Sequence, residues 1–546
     1  MTSRDAPTAI SAPPIAPAPA APDPAPAAKS ASSLDWIAPL ALTPLVLVVS
    51  GYHPFAGDAG IYVAGIRHIL NPALYPLNAV FVTAFTHLSI FAWFIAALVR
   101  LTHLPLAWIL LAAHLASIWL YLYACRCLAQ SLFPGESLLP AILLAAVCAS
   151  LPVAGTALVL MDPYVTARSF STPLSLLALA AEIRLHPSPA EASARTALRI
   201  EVILPLAAAC LLHPLMGLWT AAFLVLYLAI AVRRTRVALI LCTLAVLIAG
   251  LIFAAARHTP IAPSYVQAVS LPERSFLFIA RWHWYEIAGL VLPLLLFGIA
   301  ARRLPPHAPA RALALTCVVA GTTAIVIAAL FVPPGGPYPL APFQILRIFC
   351  PIYASGMVLI SGLIVERRES ERWARLSRGK VANRALPRLL LMALFAVMFL
   401  AQRVTWSGSP QIEWPRAAPR NPYQQAFLWI RTHTPPAAVF AFNPRLVYLP
   451  HEDEQGFRAI TLRDHLADDK DAGISAVLPH LAVRWAAQRN PELFVDEMSD
   501  AERRRTLTPL GATWLLLPPA AATHLPCPYH NSVAHVCRLI SETVTP

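Results

Sequence analysis

The chain has 546 residues, 58% hydrophobic and only 13% charged, with a formal net charge of +13. About a quarter of the residues of a soluble globular protein are charged, so this composition excludes an ordinary soluble domain and indicates a multi-spanning membrane protein. The positive charge does not indicate nucleic acid, because it sits in short loops between apolar runs and no basic stretch is interleaved with aromatics.

Residues 1–33 hold eight Pro and eleven Ala. They read as a disordered cytoplasmic tail, and they lack the basic start and apolar core of a signal peptide. The first apolar run, 36–50, leads into Gly51-Tyr-His-Pro-Phe-Ala-Gly-Asp58 and an interfacial helix over 59–70. Further apolar runs follow at about 84–101, 104–128, 138–155, 173–185, 200–212, 214–232, 237–255, 285–301, 312–332, 346–365 and 387–404. His213-Pro214 breaks the 200–232 run, which reads either as one kinked helix or as a hairpin.

The loops orient these runs. Residues 366–388 carry eight Lys or Arg and belong on the cytoplasmic side, as do 232–236 and 301–303. The last run then delivers 405–546 to the outer side. The same count places 51–83, 156–172, the His213 break, 256–284 and 333–345 outside. Parity requires that one of the three runs in 84–155 not cross, and 138–155, ending Leu-Pro-Val-Ala-Gly, is the weakest.

Residues 405–546 read as a small α/β domain, with a helix over 423–432 and strands near 438–442, 513–517 and 533–540. Glu452-Asp453-Glu454 and Asp468-Asp469-Lys470-Asp471 read as solvated loops or caps and lack the spacing of a calcium loop. Of nine cysteines, seven lie in apolar runs and read as packing residues, Cys125 and Cys127 included. Cys527 and Cys537 sit in polar sequence, and a disulfide between them is left open, since it needs an oxidising compartment.

There is no Walker A, GxGxxG, HExxH or GxSxG motif. The informative residues are polar groups at the outer borders of the apolar runs. Asp58 fits an N-cap of the 59–70 helix, and Asp162-Pro163 fits a helix start. Each also suits a functional carboxylate. Arg168, His213 and Arg347 are placed to meet a lipid phosphate, against ordinary roles as a surface cation, a helix break and a snorkelling side chain. Arg281 to Tyr285 reads as an aromatic interface anchor. Together these groups suit transfer from a lipid-linked sugar phosphate, where a carboxylate acts on the acceptor and cations hold the leaving phosphate.

This layout resembles the GT-C membrane glycosyltransferases, which include oligosaccharyltransferases, protein O-mannosyltransferases and aminoarabinose transferases. The resemblance rests on Gly57-Asp58-Ala-Gly-Ile-Tyr62, on Asn71-Pro-Ala-Leu-Tyr75-Pro76, and on Phe427-Leu-Trp-Ile-Arg-Thr-His-Thr-Pro435 ahead of the strand Ala438–Phe442. It implies a mainly α, polytopic fold of about 10–13 spans over 34–404, with a small α/β periplasmic domain over 405–546, in a bacterial inner membrane. It implies Asp58 and Asp162 as catalytic acids, with Arg168, His213 and Arg347 on the substrate phosphate. The partners expected are the bilayer, a polyprenyl-phosphate-linked sugar and an acceptor that the sequence does not specify. The cofactor is either none or a divalent metal, with Asp58 as its ligand; neither acid has an acidic neighbour, unlike the paired acids of many members. A non-catalytic assembly protein, a transporter, and a polysaccharide polymerase or ligase remain alternatives.

Overall fold

In a membrane the backbone must satisfy its own hydrogen bonds, and the apolar runs do so as helices. The computed structural model describes residues 33–134, 138–185, 200–369, 382–449, 452–453 and 456–540. Residues 1–32 of the tail expected over 1–33, residues 370–381 of the basic loop, and Glu454 lie outside the described residues, while Ser33 already belongs to the first helix. The first half forms α1 (Ser33–Ser50), α2 (Asp58–Leu70), α3 (Ala79–Leu88), α4 (Phe91–Thr102), α5 (Leu106–Leu132), α6 (Leu139–Val147) and α7 (Ala167–Leu185). The bundle continues with α8 (Ile200–Leu212), α9 (Pro214–Ala231), α10 (Thr235–Ala256), α11 (Pro263–Ser270), α12 (Trp284–Arg303), α13 (Pro309–Phe331), α14 (Phe349–Glu369) and α15 (Ala382–Thr405).

Among the described residues, seven segments are long and apolar enough to cross a membrane; α3 and α4, bent by 96°, make an eighth if counted as one. That is fewer than the ten to thirteen runs expected, for local reasons. The 138–155 run is cut after Val147, where the chain turns back through a bridge between Pro152 and Val159. The runs at 36–50 and 200–212 make shorter apolar helices. Helix α7 buries Arg168, Ser169, Ser171, Thr172, Ser175 and Glu182, too many polar groups for an apolar span, and it packs against α5 and α8 in the centre. By contrast α10 exposes Leu239, Ile240, Leu244, Leu247 and Leu251, as a lipid-facing helix does. At the α8–α9 break Pro214 takes the first helical position, and His213 Nδ1 accepts the N–H of Met216 at 3.3 Å.

The C-terminal region carries α16 (Pro422–His433), α17 (Phe457–Thr461), α18 (Asp471–Val477), α19 (Ala482–Glu492) and α20 (Asp500–Leu507). Helix α16 starts where Asn421 accepts the N–H groups of Tyr423 and Gln424. The strands are β1 (Val439–Ala441), β2 (Tyr448–Leu449), β3 (Glu452–Asp453), β4 (Asp464–His465), β5 (Trp514–Leu517), β6 (Tyr529–His530) and β7 (His535–Arg538). A five-stranded sheet runs β4-β1-β5-β7-β6, with β1 parallel to both neighbours and the β5–β7 and β7–β6 pairs antiparallel. Side chains alternate across it: Phe440, Trp514 and Leu516 pack with Phe427 and Ile430 of α16, while Val439, Ala441, Leu515 and Leu517 pack with Leu507 of α20. Cys527 and Cys537 form a disulfide, which closes the question that the sequence left open.

This domain is bound to the loop after α2. The Tyr75 hydroxyl donates to the carbonyl of Arg458 at 2.8 Å, Asn78 N–H donates to Asp464 at 2.9 Å, and Asn78 Nδ2 donates to the carbonyl of His465 at 2.7 Å. The expectation that 468–471 is a solvated loop is incorrect. Asp468, Asp469 and Asp471 are 5%, 3% and 7% exposed. Arg458 holds Asp471 at 2.9 and 3.0 Å, and Arg489 Nε holds Asp469 at 2.7 Å. Burial, with Asp471 beside it, pushes the Asp468 carboxyl up to about 7.

Candidate functional site

Asp58 does not cap α2. The cap position is Gly57, with φ 52° and ψ −133°, no side-chain cap hydrogen bond is made there, and Asp58 is the first helical residue. A Cβ on Gly57 would lie 2.7 Å from the Tyr164 hydroxyl oxygen, so glycine is required twice, for its backbone and for this approach. The Asp58 side chain is 42% exposed, whereas Arg168 facing it is 6% exposed.

Asp162 does not start a helix either. The chain stays irregular from Met161 to Thr166, and α7 begins at Ala167. Pro173, expected to restart a helix, lies inside α7. Asp162 Oδ2 instead accepts both Nε (3.1 Å) and Nη2 (2.7 Å) of Arg168, and both side chains are buried. The other terminal nitrogen of Arg168, Nη1, lies 3.9 Å from Asp58 Oδ2. One guanidinium thus joins the two acids named from the sequence, and only Asp58 keeps an open face.

Lys470 completes the cluster. It stands directly before α18, and its Nζ donates to Asp58 Oδ1 at 3.4 Å across 412 positions of sequence. Partial burial raises the Asp58 carboxyl, but Lys470, Arg168 and Arg347 outweigh it and hold the group at about 2. Arg347 sits on a 3-10 turn, Ile345–Ile348, entered through Gln344 at φ 46°. Its Nε and Gln344 Oε1 are buried without hydrogen-bond partners among the described residues. Gln344 and Arg347 border a narrow cleft of about 20 Å³ whose remaining wall is largely apolar, with Phe276, Leu277, Val332 and Leu340. Arg168 touches both Asp162 and Asp58, and Arg347 and His213 lie within electrostatic reach of that cluster.

Sequence reasoning missed Lys470, Tyr164 and Tyr62. Tyr62, one turn after Asp58 and within the field of Asp58, Arg168 and Arg347, is pushed by burial up to about 12 and stays a hydrogen-bond donor. The i, i+4 spacing of Asp58 and Tyr62 is a signal that could have found it. Arg281 and Trp284 are exposed, in keeping with an anchor. Among the described residues no group of three His, Cys, Asp or Glu is placed to hold a metal ion.

No family model matches the chain. No curated protein matches it either. Among solved structures it is similar to the archaeal oligosaccharyltransferase AglB from Archaeoglobus fulgidus in complex with an inhibitory peptide and a dolichol-phosphate, at 12% identity over 89% of this chain and 70% of that one, TM-score 0.43. It is also similar to the Archaeoglobus fulgidus oligosaccharyltransferase in the apo form, at 11% identity over 88% and 69%, TM-score 0.46. The same enzyme tethered to an acceptor peptide with an NVT sequon gives 12% identity over 88% and 68%, TM-score 0.46.

Proposed function

We propose that the chain is a GT-C-like glycosyltransferase that moves a sugar from a polyprenyl-phosphate donor to an acceptor on the outer face of a bacterial inner membrane. The observation that carries this reading is a single open carboxylate, Asp58, facing three cations beside an apolar cleft. Arg168, Arg347 and Lys470 together put positive potential beside Asp58. A prenyl phosphodiester carries one negative charge and complements it. As the acceptor attacks the anomeric carbon, the bond from that carbon to the phosphate oxygen breaks, and the prenyl phosphate leaves with added charge for Arg347, Arg168 and Lys470 to stabilise.

A carboxyl held at about 2 is a weak base. Donor phosphate changes that, because it draws on the same cations and adds negative charge beside Asp58, raising its proton affinity when the acceptor is bound. In this reading Asp58 takes the acceptor's proton, and Asp162 positions Arg168 without touching substrate. The residues do not fit a divalent metal at Asp58, since its oxygens face an ammonium at 3.4 Å and a guanidinium at 3.9 Å. The outer-face assignment is supported by the basic loops 232–236 and 301–303, which the positive-inside rule puts in the cytoplasm.

The test is a panel of polyprenyl-phosphate hexoses and pentoses offered to the full chain in nanodiscs with membrane extracts as acceptor. Asp58→Asn should lose transfer by about a hundredfold or more while still folding and inserting into the membrane. Full transfer by Asp58→Asn would remove the assignment.

A further inference from the structure

The far end of the bundle holds a second, separate cleft. Helix α9 runs eighteen residues from His213, at the Asp58 cluster, to Ala231, about 27 Å along its axis. Helix α13 likewise runs from Pro309 to Phe331, and its Ala328 lines the Arg347 cleft. Their far ends are therefore removed from Asp58 by roughly the 30 Å thickness of a bilayer core.

There the loops 232–234 and 304–308 meet around a cleft of about 170 Å³. Arg233, His307 and Arg311 form its polar side, and Tyr227, Ile230 and Leu315 its apolar side. Arg233 Nη2 lies against the His307 ring. The Nε of Arg311 is buried with no hydrogen-bond partner among the described residues, and no carboxylate lines the cleft. A buried charged donor without an acceptor costs about 1–3 kcal/mol or more. Arginines placed only to orient a chain have no need of a cavity between them. These border one, with Tyr227, Ile230 and Leu315 on its apolar side.

We infer that this cleft binds the phosphate of an anionic membrane lipid, headgroup on Arg233 and Arg311 and acyl chains along Tyr227, Ile230 and Leu315. Basic pockets between membrane helices recognise lipid phosphates in this way. The lipid is favoured over free phosphate because the apolar wall would leave a free ion's far side against hydrocarbon. The site stands independently of the transferase reading.

The experiment uses the full chain in nanodiscs of phosphatidylcholine with and without phosphatidylglycerol, with retained lipid counted by native mass spectrometry. The wild type should retain phosphatidylglycerol in preference to phosphatidylcholine. The Arg233→Gln/Arg311→Gln pair should lose about tenfold or more of that preference. Arg311→Gln alone, which leaves the Arg233 turn untouched, should lose part of it and so answers the case in which the pair misfolds. Arg236→Gln/Arg302→Gln removes two exposed charges on the same face outside the cleft lining and should retain the preference. Equal loss in that control, no preference in the wild type, or displacement of the lipid by inorganic phosphate alone would each overturn the inference.

Discussion

Replacing Asp162 by Ala removes the partner of a buried guanidinium. Arg168 and Asp162 are 6% and 5% exposed and share contacts of 2.7 and 3.1 Å, and breaking such a pair costs about 3–5 kcal/mol because a buried charge is left uncompensated. Here a second carboxylate stands 3.9 Å away. Asp58 is 42% exposed, so water screens it, and its turn toward Arg168 recovers only about 1–2 kcal/mol. The single variant should therefore lose about 2–4 kcal/mol, and Asp162→Ala in an Asp58→Asn background should lose the full 3–5 kcal/mol. The cycle over the four proteins, read by tryptophan fluorescence during unfolding in mixed detergent micelles, should give a coupling of about 1–2 kcal/mol. A loss below about 1 kcal/mol for Asp162→Ala, or additivity within about 0.5 kcal/mol, refutes the shared guanidinium.

Two further outcomes follow from the same cluster. A group held below its unfolded value contributes stability above that value and loses it as pH falls through the folded one, so the Asp58 contribution should fade only between about 4 and about 2. Lys470→Met removes the cation at 3.4 Å and should move the lower edge of that window up by about one to two pH units at near-aqueous screening; carbodiimide, which labels protonated carboxyls, should then modify Asp58 about tenfold faster at mildly acid pH, and an unchanged rate counts against the contact. Gly57→Ala forces a side chain into a glycine-only backbone conformation against Tyr164, and should cost about 1–3 kcal/mol and displace Asp58; a neutral result would mean the loop relaxes freely.

The sequence exposed the parts of this site that local chemistry marks. Asp58 was visible as a lone acid beside an apolar run, and His213-Pro214 as a helix break. Asp162 was visible as a candidate acid with a helix start as its alternative; that alternative fails because Arg168, six residues on, takes the carboxylate, which nothing local shows. Lys470 was hidden for a different reason. In Asp468-Asp469-Lys470-Asp471 the charge density suggests water, and only Arg458 and Arg489, brought in by the fold, make burial of three acids tolerable. The short 138–155 segment shows the same limit, since hydropathy reads apolar content and not the bridge that turns the chain back after Val147.

The contact between Lys470 and Asp58 also bears on biogenesis. Synthesis places the bundle in the membrane before residue 470 leaves the ribosome, so the newly inserted bundle lacks its third cation. Lys470 arrives only when 458–471 seats on the loop after α2 through Tyr75 and Asn78. A chain truncated after α15 would lack that cation beside Asp58, and quality control of the last domain would be quality control of the whole cluster.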